Sequence, residues 1–168
     1  LGVQIVGPGK VDKRIDTMAG AFSANPQLTV YDMANMDLAY APPFSSAVDN
    51  LLTNANVMQN EIEGRAHSYG FYEALEKLQD ENVAFVDLRI EDEVKAMPFE
   101  TPNYYNIPIE ELRARVDELP RDKEIVIFCI LSTRGYEGQL ILEQAGFENV
   151  HFIKGGIMFW PFKKHLAK

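Results

Sequence analysis

The sequence predicts an α/β fold: a parallel sheet flanked by helices, preceded by a partial α+β piece. Three observations predict it. Val83-Ala84-Phe85-Val86-Asp87-Leu88 and Glu124-Ile125-Val126-Ile127-Phe128-Cys129 are apolar on nearly every consecutive residue, which suits a strand covered on both faces. Helical patterns alternate with the strand patterns, so successive strands run parallel. The residues up to Gly64 hold a single strand-like run, which cannot make a sheet by itself.

In chain order, Gly2-Val3-Gln4-Ile5-Val6-Gly7 is expected as a short strand ending in the turn Gly7-Pro8-Gly9. Ile15, Met18, Ala19 and Phe22 then recur at helical spacing. Thr29 and Asp32 form a capping signal for a second short helix through Met36. Ala39 to Ser46 is expected to be extended, because Pro42-Pro43 disfavours helix before and within it. Ser46 and Asp49 repeat the capping pattern. They open a helix with the apolar seam Leu51, Ala55, Met58 and Ile62, stopped by Gly64. The expected division is 1–64 and 65–168.

The second part starts with a helix around Tyr69–Leu78, then the strand at Val83. After a polar excursion comes Tyr104-Tyr105-Asn106-Ile107, and Pro108 starts a helix whose inward face is Leu112, Val116 and Leu119. The strand ending at Cys129 is followed by a helix from about Gly135 to Ala145, closed by Gly146. Val150-His151-Phe152-Ile153 is a last strand, and Gly155-Gly156 leads into a helical turn through Trp160.

Composition narrows the function. A hydrophobic share of 46% in 168 residues supports a real core and argues against a disordered tail. The net charge of −9, with no basic stripe, argues against nucleic-acid binding. No apolar run reaches the ~18 residues of a membrane span, and no secretory leader opens the sequence, so a cytoplasmic, membrane-free chain is expected. The lone Cys129 excludes an internal disulfide and a multi-cysteine metal site, and fits a reducing compartment.

Cys129 stands where a buried parallel strand gives way to a helix, the edge at which open α/β sheets bind ligands. Cys129-Ile130-Leu131-Ser132-Thr133-Arg134 forms a tight loop whose N–H groups and helix dipole make a positive cradle. Such a cradle favours the thiolate, which is the nucleophile. Arg134 adds a bidentate fork for an oxyanion. A free cysteine is more often a small buried hydrophobe; strand end, loop length and Arg134 together favour the reagent.

Cys129-Ile-Leu-Ser-Thr-Arg134-Gly135, Val86-Asp87-Leu88-Arg89, Tyr105-Asn106-Ile107-Pro108 and Gly146-Phe147 … Lys154-Gly155-Gly156-Ile157 … Trp160 resemble a rhodanese domain over residues 67–165. The resemblance implies a rhodanese-like fold and a sulfurtransferase. Cys129 would take sulfane sulfur from a donor such as a persulfide or thiosulfate, hold it as a persulfide and pass it to a thiol. Ile130, Leu131, Ser132, Thr133 and Gly135 would bind the substrate through their backbone, and Arg134 would anchor loop or substrate. Four residues separate Cys129 from Arg134, as in the sulfurtransferases; the related phosphatases have five. Ser132 stands where many members have Gly, so its Cβ is expected to narrow the cradle. Met97-Pro98-Phe99-Glu100-Thr101-Pro102 replaces a familiar His-Ile-Pro-Gly stretch.

Val3-Gln4-Ile5-Val6-Gly7 … Val11-Asp12-Lys13-Arg14-Ile15-Asp16 and Asp37-Leu38-Ala39-Tyr40-Ala41-Pro42-Pro43-Phe44-Ser45-Ser46-Ala47 resemble the end of the dimerisation domain of FAD-dependent pyridine nucleotide-disulfide reductases. Among these are coenzyme A-disulfide and persulfide reductases carrying a C-terminal rhodanese domain. The resemblance implies that this chain is a C-terminal piece. FAD and NAD(P)H would bind upstream and not to this chain alone, Gly7-Pro8-Gly9 being no dinucleotide fingerprint. The whole protein would be a homodimer, with coenzyme A or the reductase's own cysteine as the thiol acceptor and Tyr40 reaching the partner's substrate site. Phe44 takes a position that is Tyr in some relatives.

The remaining candidates read as structural. His67, His151 and His165 lack acidic or cysteine neighbours at ligand spacing, so they read as surface or boundary residues and no metal is expected. Asp87 and Arg89 are expected to form an internal ion pair, Lys163, Lys164 and Lys168 a solvated helix end, and Met33, Met36 and Met58 core or interface filler. A non-catalytic docking module for a persulfide, coenzyme A or the reductase body stands as the alternative to the enzyme.

Overall fold

In the computed structural model, residues 2–162 are described, so the expectations for Lys163, Lys164, His165 and Lys168 lie outside the described residues. The chain forms two compact units, Leu1–Arg65 and Ala66–Lys168.

The first unit holds three helices: α1 (Val11–Ala24), α2 (Val30–Ala34) and α3 (Asn50–Ile62). Met18, Val30, Met33, Leu51 and Ala55 are its core, with Val3, Ile5, Phe22 and Met36 packed against it. The expected terminal strand is not formed. With no described strand to pair with it, the segment 2–7 instead lays Val3 and Ile5 on the helices. Thr29 and Asp32 make the expected reciprocal cap of α2. At α3 the cap is Asp49 alone, accepting from the Leu51 N–H at 3.0 Å, while Ser46 Oγ donates to Val48 O. Asp49 also receives Arg14 in a bidentate pair, Nε at 2.8 Å and Nη2 at 2.9 Å. The proline segment turns rather than extends: the N–H groups of Phe44 and Ser45 both donate to Ala41 O. Only the first half of the α3 seam is buried, for Met58 and Ile62 are exposed.

The second unit contains β1 (Ser68–Tyr69), α4 (Phe71–Lys77), β2 (Val83–Asp87), α5 (Glu91–Ala96), β3 (Tyr104–Asn106), α6 (Ile109–Arg115), β4 (Glu124–Phe128), α7 (Thr133–Gln144) and β5 (Val150–Ile153). All five strands are parallel, in the order β1-β5-β4-β2-β3. Alternate residues of the central strands feed opposite layers. Ala84, Val86, Ile125, Ile127 and Cys129 join Leu112 and Leu142 on one side, and Val83, Phe85, Val126 and Phe128 join Ala74, Phe99 and Trp160 on the other.

Two elements differ from expectation. Tyr69 belongs to β1, and the helix begins after Gly70, whose N–H donates to Glu73 Oε2 at 2.7 Å. The polar excursion after β2 contains α5, which buries no residue and so shows no apolar seam. Beyond it, Met97 and Phe99 pack into the second layer, Phe99 edge-on to Trp160. Among the described residues no helix is long and apolar enough to cross a membrane.

α7 lies close on the sheet because Gly138 has no side chain; a Cβ there would sit 2.6 Å from Leu88 Cδ1. Gly138 thus lets α7 pack against Leu88 and against Ile127 of β4.

Candidate functional site

Cys129 is the first residue beyond β4 and is 2% exposed, its side chain on the α6–α7 side of the sheet. Ile130, Leu131 and Ser132 link it to α7, which begins at Thr133 with Ser132 as its N-terminal flank.

The loop is held from behind by its carbonyls. Cys129 O accepts from the Ile157 N–H at 2.9 Å, Ile130 O from Met158 at 2.9 Å, and Ser132 O from Tyr136 at 2.9 Å. Gly156, at φ 60° and ψ −162°, makes this approach possible: a Cβ there would lie 1.9 Å from Leu131 O. With the carbonyls so engaged, the N–H groups of Ile130 through Arg134 find no acceptor among the described residues. A row of free N–H groups ending in a helix N-terminus is a cradle for a negative charge.

Ser132 does not use its hydroxyl to cap α7. Ser132 Oγ instead accepts from the Gly155 N–H at 2.7 Å, which ties the loop to the following turn. Ser132 thus supplies an anchor that glycine would lack.

Arg134 is committed. Its Nη1 and Nη2 donate to Glu93 Oε2 and Oε1 at 2.7 and 2.8 Å, a bidentate pair only partly screened by solvent. Glu93 holds the Arg134 guanidinium above its usual range, with a smaller contribution from charge at Cys129. Arg134 in turn holds the Glu93 carboxyl below the usual carboxylate range. Nothing in the sequence marks Glu93 as part of the site. Its partner lies 41 residues away, and an exposed acidic helix gives no signal of such a contact.

Asp87 and Arg89 form the expected ion pair, both fully buried, with Arg89 Nη2 2.6 Å from Asp87 Oδ2. Tyr104 Oη donates to the same oxygen at 2.8 Å, and burial together with that carboxylate pushes the phenol well above its usual range. Arg89 Nη1 donates to Met97 O at 2.7 Å, so the pair fastens the end of α5, the helix that carries Glu93.

The other candidates are distributed as follows. Leu131 is 48% exposed and Gly135 is buried against Phe152. Tyr40 lies in the first unit, exposed, beside a cavity of about 210 Å³ also lined by Lys10, Lys13 and Phe44. His67 Nδ1 is 3.1 Å from Glu143 Oε1, and His151 stacks on Tyr69 with ring centroids 4.2 Å apart. Among the described residues no group of His, Cys, Asp and Glu is arranged to hold a metal ion.

The chain is similar to known proteins. The family model described as "Rhodanese-like domain" matches residues 71–161. A sulfurtransferase from Allochromatium vinosum is 31% identical over 104 residues, covering 61% of this chain and 89% of that protein. The solved structure of an NAD-dependent persulfide reductase from A. fulgidus is 41% identical with a TM-score of 0.76, over 92% of this chain and 26% of that one. The reduced CoADR-RHD of Bacillus anthracis is 32% identical with a TM-score of 0.83, over 94% and 28%. The chain therefore spans about a quarter of the length of these two structures.

Proposed function

The chain belongs to the rhodanese-like domain family, and from that premise we propose that it carries sulfane sulfur as a persulfide on Cys129. The observation that carries the reading is the loop after β4. The carbonyls of Cys129, Ile130 and Ser132 are bound from behind, and the N–H groups from Ile130 to Arg134 are left for a negative charge. In that field the thiolate and the terminal sulfur of a persulfide are both stabilised.

The thiolate of Cys129 attacks the outer sulfur of a donor R–S–SH. A new S–S bond forms on Cys129, the donor's S–S bond breaks, and its electron pair leaves on R–S, which takes the proton as R–SH. A second thiol then removes the outer sulfur by the same displacement and restores Cys129. Ile130, Leu131, Ser132, Thr133 and Gly135 supply backbone to the cradle, and Arg134 fixes the loop through Glu93.

The likeness to the persulfide reductase and to CoADR-RHD extends over both units. It supports reading this chain as the C-terminal part of a reductase, for which a cytoplasmic homodimer is the proposed form. FAD and NAD(P)H would be held by residues upstream of it. Coenzyme A is the proposed thiol acceptor, with Tyr40 reaching the partner's substrate site.

The 2% exposure of Cys129 favours, as a second reading, a docking module that does not turn over. Intact mass separates the two. Exposed to a small persulfide or to thiosulfate, the chain should gain one sulfur atom, removable by thiol and absent in Cys129→Ser. No gain from any donor would leave the docking module.

A further inference from the structure

We propose that Glu93 sets the charge of the sulfur donor. By pairing with Arg134 it cancels the loop's one positive side chain, so the site takes neutral or singly charged organic persulfides in preference to a dianion such as thiosulfate. The inference rests on the persulfide-carrier reading above.

Between Cys129 and Gly135 only Arg134 carries a charge; Ile130, Leu131, Ser132 and Thr133 are neutral. Both terminal nitrogens of Arg134 are taken by Glu93, one to each carboxylate oxygen. The carboxylate is itself fixed. Glu93 Oε2 accepts from the Ile90 N–H at 3.2 Å at the start of α5, and the far end of α5 is held by buried Arg89 through Met97 O. A donor that approaches Arg134 meets a counter-ion seated on a fastened helix. Several side chains at the loop are apolar and exposed. Leu131 is exposed, as is Met158, whose N–H is bonded to Ile130 O, and Phe159 follows it. Such a rim suits an organic substituent.

The charge balance of the two reactions separates them. A neutral persulfide reacts as Cys129–S⁻ with R–S–SH to give Cys129–S–S⁻ and R–SH, one negative charge throughout. Thiosulfate brings its two negative charges up to the thiolate and leaves as sulfite, also a dianion, so three charges are held together through the transition state. An uncompensated guanidinium a few ångströms away would favour that second path strongly; a guanidinium already paired does not.

The test measures the rate of one-sulfur gain on the 168-residue chain by intact mass, from ethyl persulfide and from thiosulfate. The unaltered chain should load from the persulfide at least about tenfold faster. In Glu93→Gln, which keeps an oxygen for Arg134 but removes the charge, the thiosulfate-to-persulfide ratio should rise about tenfold. The rise should shrink in high salt. A ratio that stays put or falls in the variant would mean that Glu93 only positions Arg134, and the inference would be wrong. A second measurement needs no variant: among persulfides of similar size, one bearing two carboxylates should load the unaltered chain more slowly than a neutral one. Equal rates would also overturn the inference while leaving the persulfide carrier intact. Loading from no donor at all would end both.

Discussion

Gly156→Ala is the sharpest test of how the Cys129 loop is built. The added Cβ would stand 1.9 Å from Leu131 O and 2.6 Å from both Cys129 O and Ile130 O, atoms of backbone that cannot rotate away. The residue would also have to hold φ 60° with ψ −162°, a region essentially restricted to glycine, at a strain of about 1–3 kcal/mol. Moving the loop to relieve the overlap costs about 1–3 kcal/mol in forced repacking. It also loosens the bonds from Ile157 and Met158 to the loop carbonyls, about 1 kcal/mol each. The combined loss is about 4–8 kcal/mol, a large share of the ~5–15 kcal/mol that holds a domain. Trp160 is the chain's one tryptophan, buried in the second unit among Phe71, Phe99 and Phe162. Its fluorescence in urea therefore follows that unit. The midpoint should fall by at least about 1 M, and sulfur loading should fall with it even where the fold persists. A loss under about 1 kcal/mol with loading intact would mean that the loop is not clamped by this turn.

Three further outcomes follow from the same geometry. Asp87→Ala leaves Arg89 charged, buried and unpaired, and should cost the second unit about 3–5 kcal/mol by the same fluorescence assay. Asp49→Ala removes the α3 cap and the acceptor of Arg14 together; helix content by circular dichroism should melt earlier, by about 1–3 kcal/mol, without moving the Trp160 transition. For pH, the Glu93 carboxyl titrates below its ordinary 4.5 in the folded chain. Its stabilising contribution is therefore complete above that value and drains away as pH falls through the lower, folded value. Stability of the second unit should fall below about pH 4.5, and the Glu93→Gln profile should be flatter there, measured as urea midpoint against pH.

How much of this was legible in the sequence varied with the kind of signal. β2 and β4 were readable because burial on both faces leaves a continuous apolar run, and α7 because Gly146 ends it. Cys129 could be assigned to a strand-to-helix junction for the same reason. β1 was missed because two residues joined to β5 through backbone bonds carry no side-chain pattern. The strand expected at Val3–Val6 had the right composition, but a strand exists only with a neighbour. Ser46 and Asp49 both suit a cap, and only the observed turn at Ala41–Ser45 decides for Asp49. At the site, the Gly155-Gly156 pair was visible, while its purpose, the approach to three carbonyls, is a tertiary fact. Glu93 was invisible for the reason that makes it informative: its meaning lies wholly in a partner from another element.

The strand order has a consequence in time as well as in space. β4 is bonded on one side to β5 and on the other to β2, whereas β1 and β3 each lean on a single neighbour. Fluctuations that peel a strand from the sheet begin at those rims, and the amide protons of Ile125 to Phe128 should be among the last to exchange with solvent deuterium. Cys129 follows them directly. The residue proposed to carry the sulfur is thus attached to the part of the sheet expected to open last, and partial unravelling of the edges should come and go without disturbing it.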